Sequence, residues 1–303
     1  MPLNILLTPS KYEDLLARNY LFALRCLGDQ MPVSDTTTNT LVERVTNERL
    51  YRIGPAQYQR YRQALNERLE YLRGSKTASL LISRLLPIVK DKDQNKDVRI
   101  RVVNSLLALG KNNSNVVKAL LHILVQDTSA DVRGAAALSL GQVGVGMPEV
   151  SRVLLEVGQH DVSERVRWNA AIILIQHASE MINRDEIILV LLEELKSSSD
   201  WSTRQDAARF IGRLGNGDEQ NLRALYQGLL DEDNDVRTAC VQGLVVLARR
   251  FPNVYQKVEK MFMQAIKQKK FDKQDNTKRS AHDYAYDGLW LLVVGGEIND
   301  EDE

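Results

Sequence analysis

At 303 residues, 44% apolar and 26% charged, the chain has the composition of a folded protein rather than a disordered one. Lys plus Arg and Asp plus Glu both total 40, and this balance disfavours strong non-specific nucleic-acid binding, which needs surplus positive charge. The two cysteines, Cys26 and Cys240, lie far apart in apolar helical patterns, so they are expected to be reduced core thiols of a cytoplasmic protein and cannot by themselves build a zinc site.

The opening, MPLNILLTPSKYEDLL, has no basic n-region, and no apolar run reaches about 18 residues, so neither a signal peptide nor a membrane span is expected. Residues 11–30 predict a helix with Leu15, Leu16, Tyr20, Leu24 and Leu27 on one side. SDTTTNT, 34–40, reads as a polar linker. The segment 51–73 interleaves Tyr51, Tyr58, Tyr61 and Tyr71 with Arg52, Arg60, Arg62, Arg68 and Arg73. Such a pattern suits stacking on single-stranded bases. The simpler reading is an amphipathic helix whose tyrosines edge the core, with Glu67 and Glu70 pairing locally. Residues 1–77 are taken together as an N-terminal helical, capping region.

From about 78 to 250 one phrase recurs: DVRIRVVNSLLALG (97–110), DVRGAAALSLGQVG (131–144), RVRWNAAIILIQHA (165–178), STRQDAARFIGRLG (202–215) and DVRTACVQGLVVLA (235–248). Its arginines, Arg99, Arg133, Arg167, Arg204 and Arg237, are spaced by 34, 34, 37 and 33 residues. A fixed period in this range marks a solenoid. In the second copy Val132, Ala136, Leu140 and Val143 share one helical face. Asp131 is expected to cap the helix start, and Gly144 to end it at positive φ. An apolar helix precedes each phrase, for example VVKALLHILVQ at 116–126. The unit is therefore a helical hairpin that cannot bury its stripes alone. The fold expected is all-α, a right-handed α-solenoid of about five to seven stacked helical pairs. Asp97, Asp131 and Asp235, with Arg99, Arg133, Arg167, Arg204 and Arg237, are expected to form a structural ladder along the stack.

Residues 251–294 read as a degenerate repeat and a capping helix carrying Tyr284, Tyr286 and Trp290, after a polar loop at 268–280; KQKKFDK (267–273) reads as a solvated loop. The acidic tail 295–303 is expected to be disordered.

The phrase D-V-R-x-x-A-A-x-x-L-G-x-L-G resembles HEAT repeats, in particular the subgroup shared with phycobilisome-lyase-like proteins. The third copy departs from it at Ser163-Glu164-Arg165 and His177-Ala178, and the fourth at Trp201-Ser202-Thr203. The end segments NYLFALRCLGDQ and SAHDYAYDGLWLLVVG look like the flanks of HEAT regions found C-terminal to NACHT-type NTPase modules in bacteria. That resemblance implies a sensor or effector-contact surface of a regulatory system. No Walker A motif, G-x-x-x-x-G-K-[ST], is present, so no nucleotide chemistry is expected of the chain itself.

No other catalytic pattern stands out. The histidines are His122, His160, His177 and His282. None forms H-E-x-x-H, and the His-Glu pairs of di-iron HEAT hydroxylases are missing. His122 is expected at the core or its edge. There is no G-x-S-x-G, and GQVGVG (141–146) follows a helix rather than a strand, so it reads as a turn. No catalytic residue, metal or cofactor is expected.

The resemblance implies that the second helix of each hairpin lines a concave face. The apolar register points positions one, two, five and nine after each repeat arginine away from the core. These include Arg101 and Asn104, then Leu138 and Gln142, then Trp168, Asn169, Ile172 and Gln176. Gln205, Asp206, Arg209 and Arg213 follow, then Gln242. Trp168 is the sharpest candidate, since Trp and Arg are enriched at binding hot spots; the alternative is that it leans on the neighbouring repeat. The expected function is a non-catalytic scaffold or sensor binding a protein or peptide partner, with self-association through an uncapped end left open. A bilin lyase or bilin-handling chaperone using Trp168, Asp206 and Arg209, and nucleic-acid binding through 51–73, are the alternatives.

Overall fold

The computed structural model describes residues 24–26, 34–51, 66–111, 113–144, 146–177, 184–268 and 279–295. These residues are helical, without strands. Most of the 11–30 helix, much of the Tyr/Arg segment, most of the 268–280 loop and the acidic tail beyond 295 lie outside them.

In chain order the helices are α1 (Asp35–Tyr51), α2 (Lys76–Lys90), α3 (Lys96–Leu109), α4 (Ser114–Gln126), α5 (Ala130–Val143), α6 (Pro148–His160) and α7 (Glu164–Gln176). They continue as α8 (Arg184–Ser197), α9 (Trp201–Leu214), α10 (Glu219–Gly228), α11 (Asn234–Arg250), α12 (Pro252–Lys267) and α13 (Ala281–Val294). Each repeat phrase falls on the second helix of a pair: α3, α5, α7, α9 and α11. The helical hairpin is thus the repeating unit, and the fold is an all-α repeat of the solenoid class.

The chain forms two compact units, Met1–Val157 and Gly158–Glu303. In the first, α2 pairs with α3 and α4 with α5, while α3 packs on α5 and α2 on α4. In the second, α8 pairs with α9, α10 with α11 and α12 with α13; α9 packs on α11, α11 on α13 and α8 on α10. Second helices therefore form one layer of each unit and first helices the other. The core between them is aliphatic, with Val102, Leu106, Val116, Leu120, Ala136 and Leu140 fully buried in the first unit. Ala170, Leu191, Ala207, Ile211, Leu225 and Leu244 do the same in the second. Alanine on the second helices lets neighbours approach closely; at larger positions such contacts would overpack. Cys26 and Cys240 are free and buried, and burial pushes the Cys240 thiol up.

Residues 34–40 are not a linker but the cap and first turns of α1. Ser34 Oγ accepts the Thr37 N–H at 3.2 Å. Thr38, Thr40 and Thr46 each turn their hydroxyl onto the carbonyl four residues back, at 3.2, 3.0 and 2.8 Å, so the polar run is satisfied within a helix. Leu41 and Val42 then bury the far side.

Asp131 is not the cap of α5. That place belongs to Ser129, and Asp131 sits in the first turn, where a carboxylate favours the helix dipole. It accepts Lys96 Nζ of the preceding repeat at 2.7 Å. Gly144 does end α5, but at φ −113, so positive φ is not the reason. A Cβ there would stand 2.8 Å from Val150 Cγ2, and one at Gly110 would stand 2.5 Å from Val116 Cγ1. Glycine closes these helices because the next helix crosses over them.

His122 is exposed on α4 rather than at the core. The last helix, α13, does cover α11 and α12 with Tyr284, Ala285 and Leu292, but Tyr286 and Trp290 are both 57% exposed, so only one of its apolar sides closes the core.

Candidate functional site

The repeat arginines are buried clasps. Arg99 forks onto the Asp127 carboxylate, Nε to Oδ2 and Nη2 to Oδ1, both at 2.9 Å; Arg204 forks onto Asp231, both bonds at 2.8 Å. Each arginine thus reaches from a second helix to the turn after the first helix of the following hairpin. The same turns receive the next arginine from the other side. Arg133, Arg167 and Arg204 donate Nη1 to the carbonyls of Asp127, Asp161 and Ser198, each at 3.0 Å, and Arg237 donates to the Asp231 carbonyl. The Asp127 and Asp231 turns therefore each tie two arginines. The acceptors of these forks are not the Asp of Asp-Val-Arg: they are Asp127 and Asp231, six residues before the next arginine. Asp97, Asp131 and Asp235 stand in the first turns of their helices.

The last arginine ends the series differently. Arg237 is fully buried. Its Nη1 meets the Arg279 carbonyl at 3.3 Å, and its guanidinium carbon lies 5.8 Å from the Tyr284 ring centre. The start of α13 thus takes the place of a further repeat turn.

The third clasp is Arg167 Nε to Glu194 Oε1, a single 2.6 Å bond. Burial pushes the Glu194 carboxyl above the usual glutamate range, against the opposing effect of Arg167. Folded protein therefore holds this proton at higher pH than unfolded chain, and the linked stability falls as pH rises from the ordinary glutamate pKa of about 4.3 through the raised one. Glu194→Gln, which cannot ionise, is expected to gain on the wild type as pH is raised across that window. Urea denaturation of both proteins at about pH 4.5 and about pH 7 reads the difference; a constant or shrinking difference contradicts it.

The binding candidates fall on the second helices as expected, but only those within one unit can be placed together. In the first unit Asn104 and Gln142 are exposed and Arg101 is half-buried, while Leu138 is 43% exposed. In the second unit Trp168 and Asn169 are half-buried on α7, with Gln176 exposed at its end. On α9, Gln205, Arg209 and Arg213 follow at four-residue steps on one face; Gln205 and Asp206 are half-buried, Arg209 and Arg213 exposed. Gln242 is half-buried on α11. Trp168 leans on Phe210 of the next repeat, ring centres 6.4 Å apart and planes at 47°, a tilted aromatic pair. Asp206 and Arg209 pair with each other at 3.8 Å. Arg250 of α11 donates to the Gly212 carbonyl at 3.1 Å and to that of Arg213, binding the open end of α9.

Two features were not singled out from sequence. Glu194 is one. The other is a groove of about 720 Å³ between the first helices α8 and α10, with Leu189, Leu192, Leu195 and Ala224 below and Glu193, Lys196, Glu219 and Arg223 around it. The unbroken apolar run Ile187–Leu192 was its available signal, because six successive residues cannot all face one core, and Leu189 is indeed 48% exposed. Among the described residues, no group of three or more His, Cys, Asp or Glu is placed to hold a metal ion, and no helix is long and apolar enough to cross a membrane.

A family model for HEAT repeats matches residues 82–175 and 160–245. No curated protein matches the sequence. Among solved structures, a chain of the Kap95p–RanGDP structure is 11% identical over 96% of this chain and 40% of that one, with a TM-score of 0.51. An engineered protein is 14% identical over 97% of this chain and 78% of that one, TM-score 0.43. The UNC-45 chaperone is 12% identical over 88% of this chain and 38% of that one, TM-score 0.47. The chain spans well under half the length of the Kap95p-complex and UNC-45 chains. At these identities the likeness to the Kap95p structure is one of fold.

Proposed function

This chain belongs to the HEAT-repeat family, and we propose that it is a non-catalytic, cytoplasmic scaffold or sensor that binds a partner protein or peptide across its second helices. The observation that carries the reading is the surface of α7 and α9: Trp168, although it leans on Phe210 of the next repeat, stays half-buried rather than enclosed, and Arg209 and Arg213 of α9 are exposed. Aromatic and arginine side chains together are what binding hot spots are made of. The surrounding Asn169, Gln176, Gln205 and Gln242 supply amide groups for the backbone of an extended or helical segment. A partner seated there touches successive repeats at once and thereby selects among arrangements of the stack.

The test is affinity capture from native lysate with wild type and with Trp168→Ala/Arg209→Ala, both first checked for equal thermal melting. Loss of two hot-spot groups is expected to weaken the partner by about 2 kcal/mol or more, about thirtyfold. Equal capture by the two proteins overturns the placement.

The finer role, a sensor surface in a NACHT-type regulatory system, rests on the two end segments and is supported if the captured partner is an NTPase of that kind. A bilin-handling role would need Arg209 and Asp206 to release each other for the pigment; its signature is visible absorbance on mixing with bilin. Nucleic-acid binding through 51–73 would be seen as capture that collapses with salt.

A further inference from the structure

The residue six positions before Arg133, Arg167, Arg204 and Arg237 is Asp127, Asp161, Ser198 and Asp231 in turn. All four occupy the same local structure. Their side-chain oxygens accept the N–H two residues on, at 2.8, 2.8, 3.3 and 3.0 Å, and their carbonyls take the guanidinium that follows. Ser198 is the exception in chemistry: it is too short and uncharged to hold a fork. Arg167, whose acceptor it should be, reaches instead to Glu194, one turn earlier in α8, through one bond. Glu194 is 1% exposed, and its second oxygen, Oε2, is buried without a hydrogen bond. Where Asp127 and Asp231 each receive two bonds from one arginine, this joint has one bond and an unsatisfied acceptor, which bears the full desolvation cost. The charged groups about Glu194 are Arg167 and Glu164 from α7 and Glu193 on its own helix. Glu164 is itself engaged with the Ser199 N–H and hydroxyl at 3.1 and 2.8 Å.

We propose that the Arg167–Glu194 joint is more compliant than the Arg99–Asp127 and Arg204–Asp231 joints, so that α7 and the α8–α9 hairpin separate more readily than helices tied by a fork. Its position gives this a consequence. Trp168, next to Arg167 in sequence, meets Phe210 of α9 across the same two repeats. Anything seated on that ring pair contacts both sides of the joint, so occupancy of the face and closure of the joint are coupled in both directions.

Backbone hydrogen exchange on the free protein tests the joint without any partner, so its outcome is separate from that of the binding reading. The arginine amides are matched reporters: Arg99, Arg167 and Arg204 each donate to the carbonyl of the N-cap residue four before, at 3.1, 3.0 and 3.1 Å. Residues 163–172 are expected to exchange about tenfold or more faster than 95–104 and 200–209. Ser198→Asp/Glu194→Gln, which places a carboxylate where the other repeats have one, is expected to slow 163–172 about tenfold. Equal exchange at the three joints of the wild type overturns the proposal, as does a folded double variant with 163–172 unchanged. If the double variant fails to fold, the wild-type comparison decides alone.

Discussion

Asp127→Ala is expected to cost about 3–5 kcal/mol of folding free energy, the scale for removing one partner of a buried ion pair. The side chains of Arg99 and Asp127 are 4% and 5% exposed, so the guanidinium left behind has no water to replace the fork. The loss is larger than one ion pair suggests, because Asp127 Oδ1 also accepts the Ser129 N–H that shapes the turn before α5. The control is the double variant Arg99→Met/Asp127→Leu, which removes both charges and is expected to recover most of the loss. Lys96 and Asp131, 55% and 33% exposed at 2.7 Å, join the same repeats, but solvent screens them; Lys96→Ala is expected to cost no more than about 1 kcal/mol. Urea denaturation of the four proteins checks the ranking. Equal costs for Asp127→Ala and Lys96→Ala would mean that the buried fork is not what ties these repeats.

Gly212→Ala is expected to destabilise by about 1–3 kcal/mol through overpacking, although alanine is ordinarily better than glycine inside a helix by about 1 kcal/mol. The second helices α9 and α11 cross with glycine against glycine: a Cβ on Gly212 would stand 2.6 Å from the Gly243 Cα. The obstacle is backbone, so no rotamer relieves it, and the helices must move apart. Gly158 on α6 is the contrast. A Cβ there meets Val190 Cγ1 at 3.5 Å and Ala170 Cβ at 3.8 Å, ordinary contact distances, so Gly158→Ala is expected to stabilise by about 0.5–1 kcal/mol. Thermal melts of both variants read opposite signs; two stabilising substitutions would contradict the close crossing.

The repeat period and the amphipathic stripe of DVRGAAALSLGQV were enough to specify hairpins, the second-helix positions and the solenoid class, because both follow from the 3.6-residue turn. The arginines were legible as structural, and their partners were not. Asp131 and Asp127 are equally visible carboxylates near Arg133, but sequence spacing does not say which of them the arginine of the preceding repeat can reach. The turn that decides it is a tertiary arrangement. Glu194 was hidden for a related reason. It sits in the last turn of an apolar helix and acts only because Ser198 does not. The threonines at 36–38 were misread because their hydroxyls compete for backbone groups in isolation, whereas Leu41 and Val42 anchor the helix through packing. Gly144 was read through glycine's backbone freedom, when its cause was a neighbouring valine.

The candidate face was legible residue by residue and less so as a surface. Gln176, Arg209 and Arg213 point outward as the register required, while the contact between Trp168 and Phe210 depends on how adjacent hairpins stack. The groove between α8 and α10 adds a competing surface on the opposite layer of the second unit.

Hydrogen-exchange footprinting of the protein with its captured partner separates these surfaces directly. Binding across the second helices requires slowed exchange in α7, α9 and α11, centred on residues 168–176 and 205–213, with α8 and α10 unchanged. Protection confined to α8 and α10 around Leu189 and Arg223, with α7 and α9 exchanging as in the free protein, would contradict it.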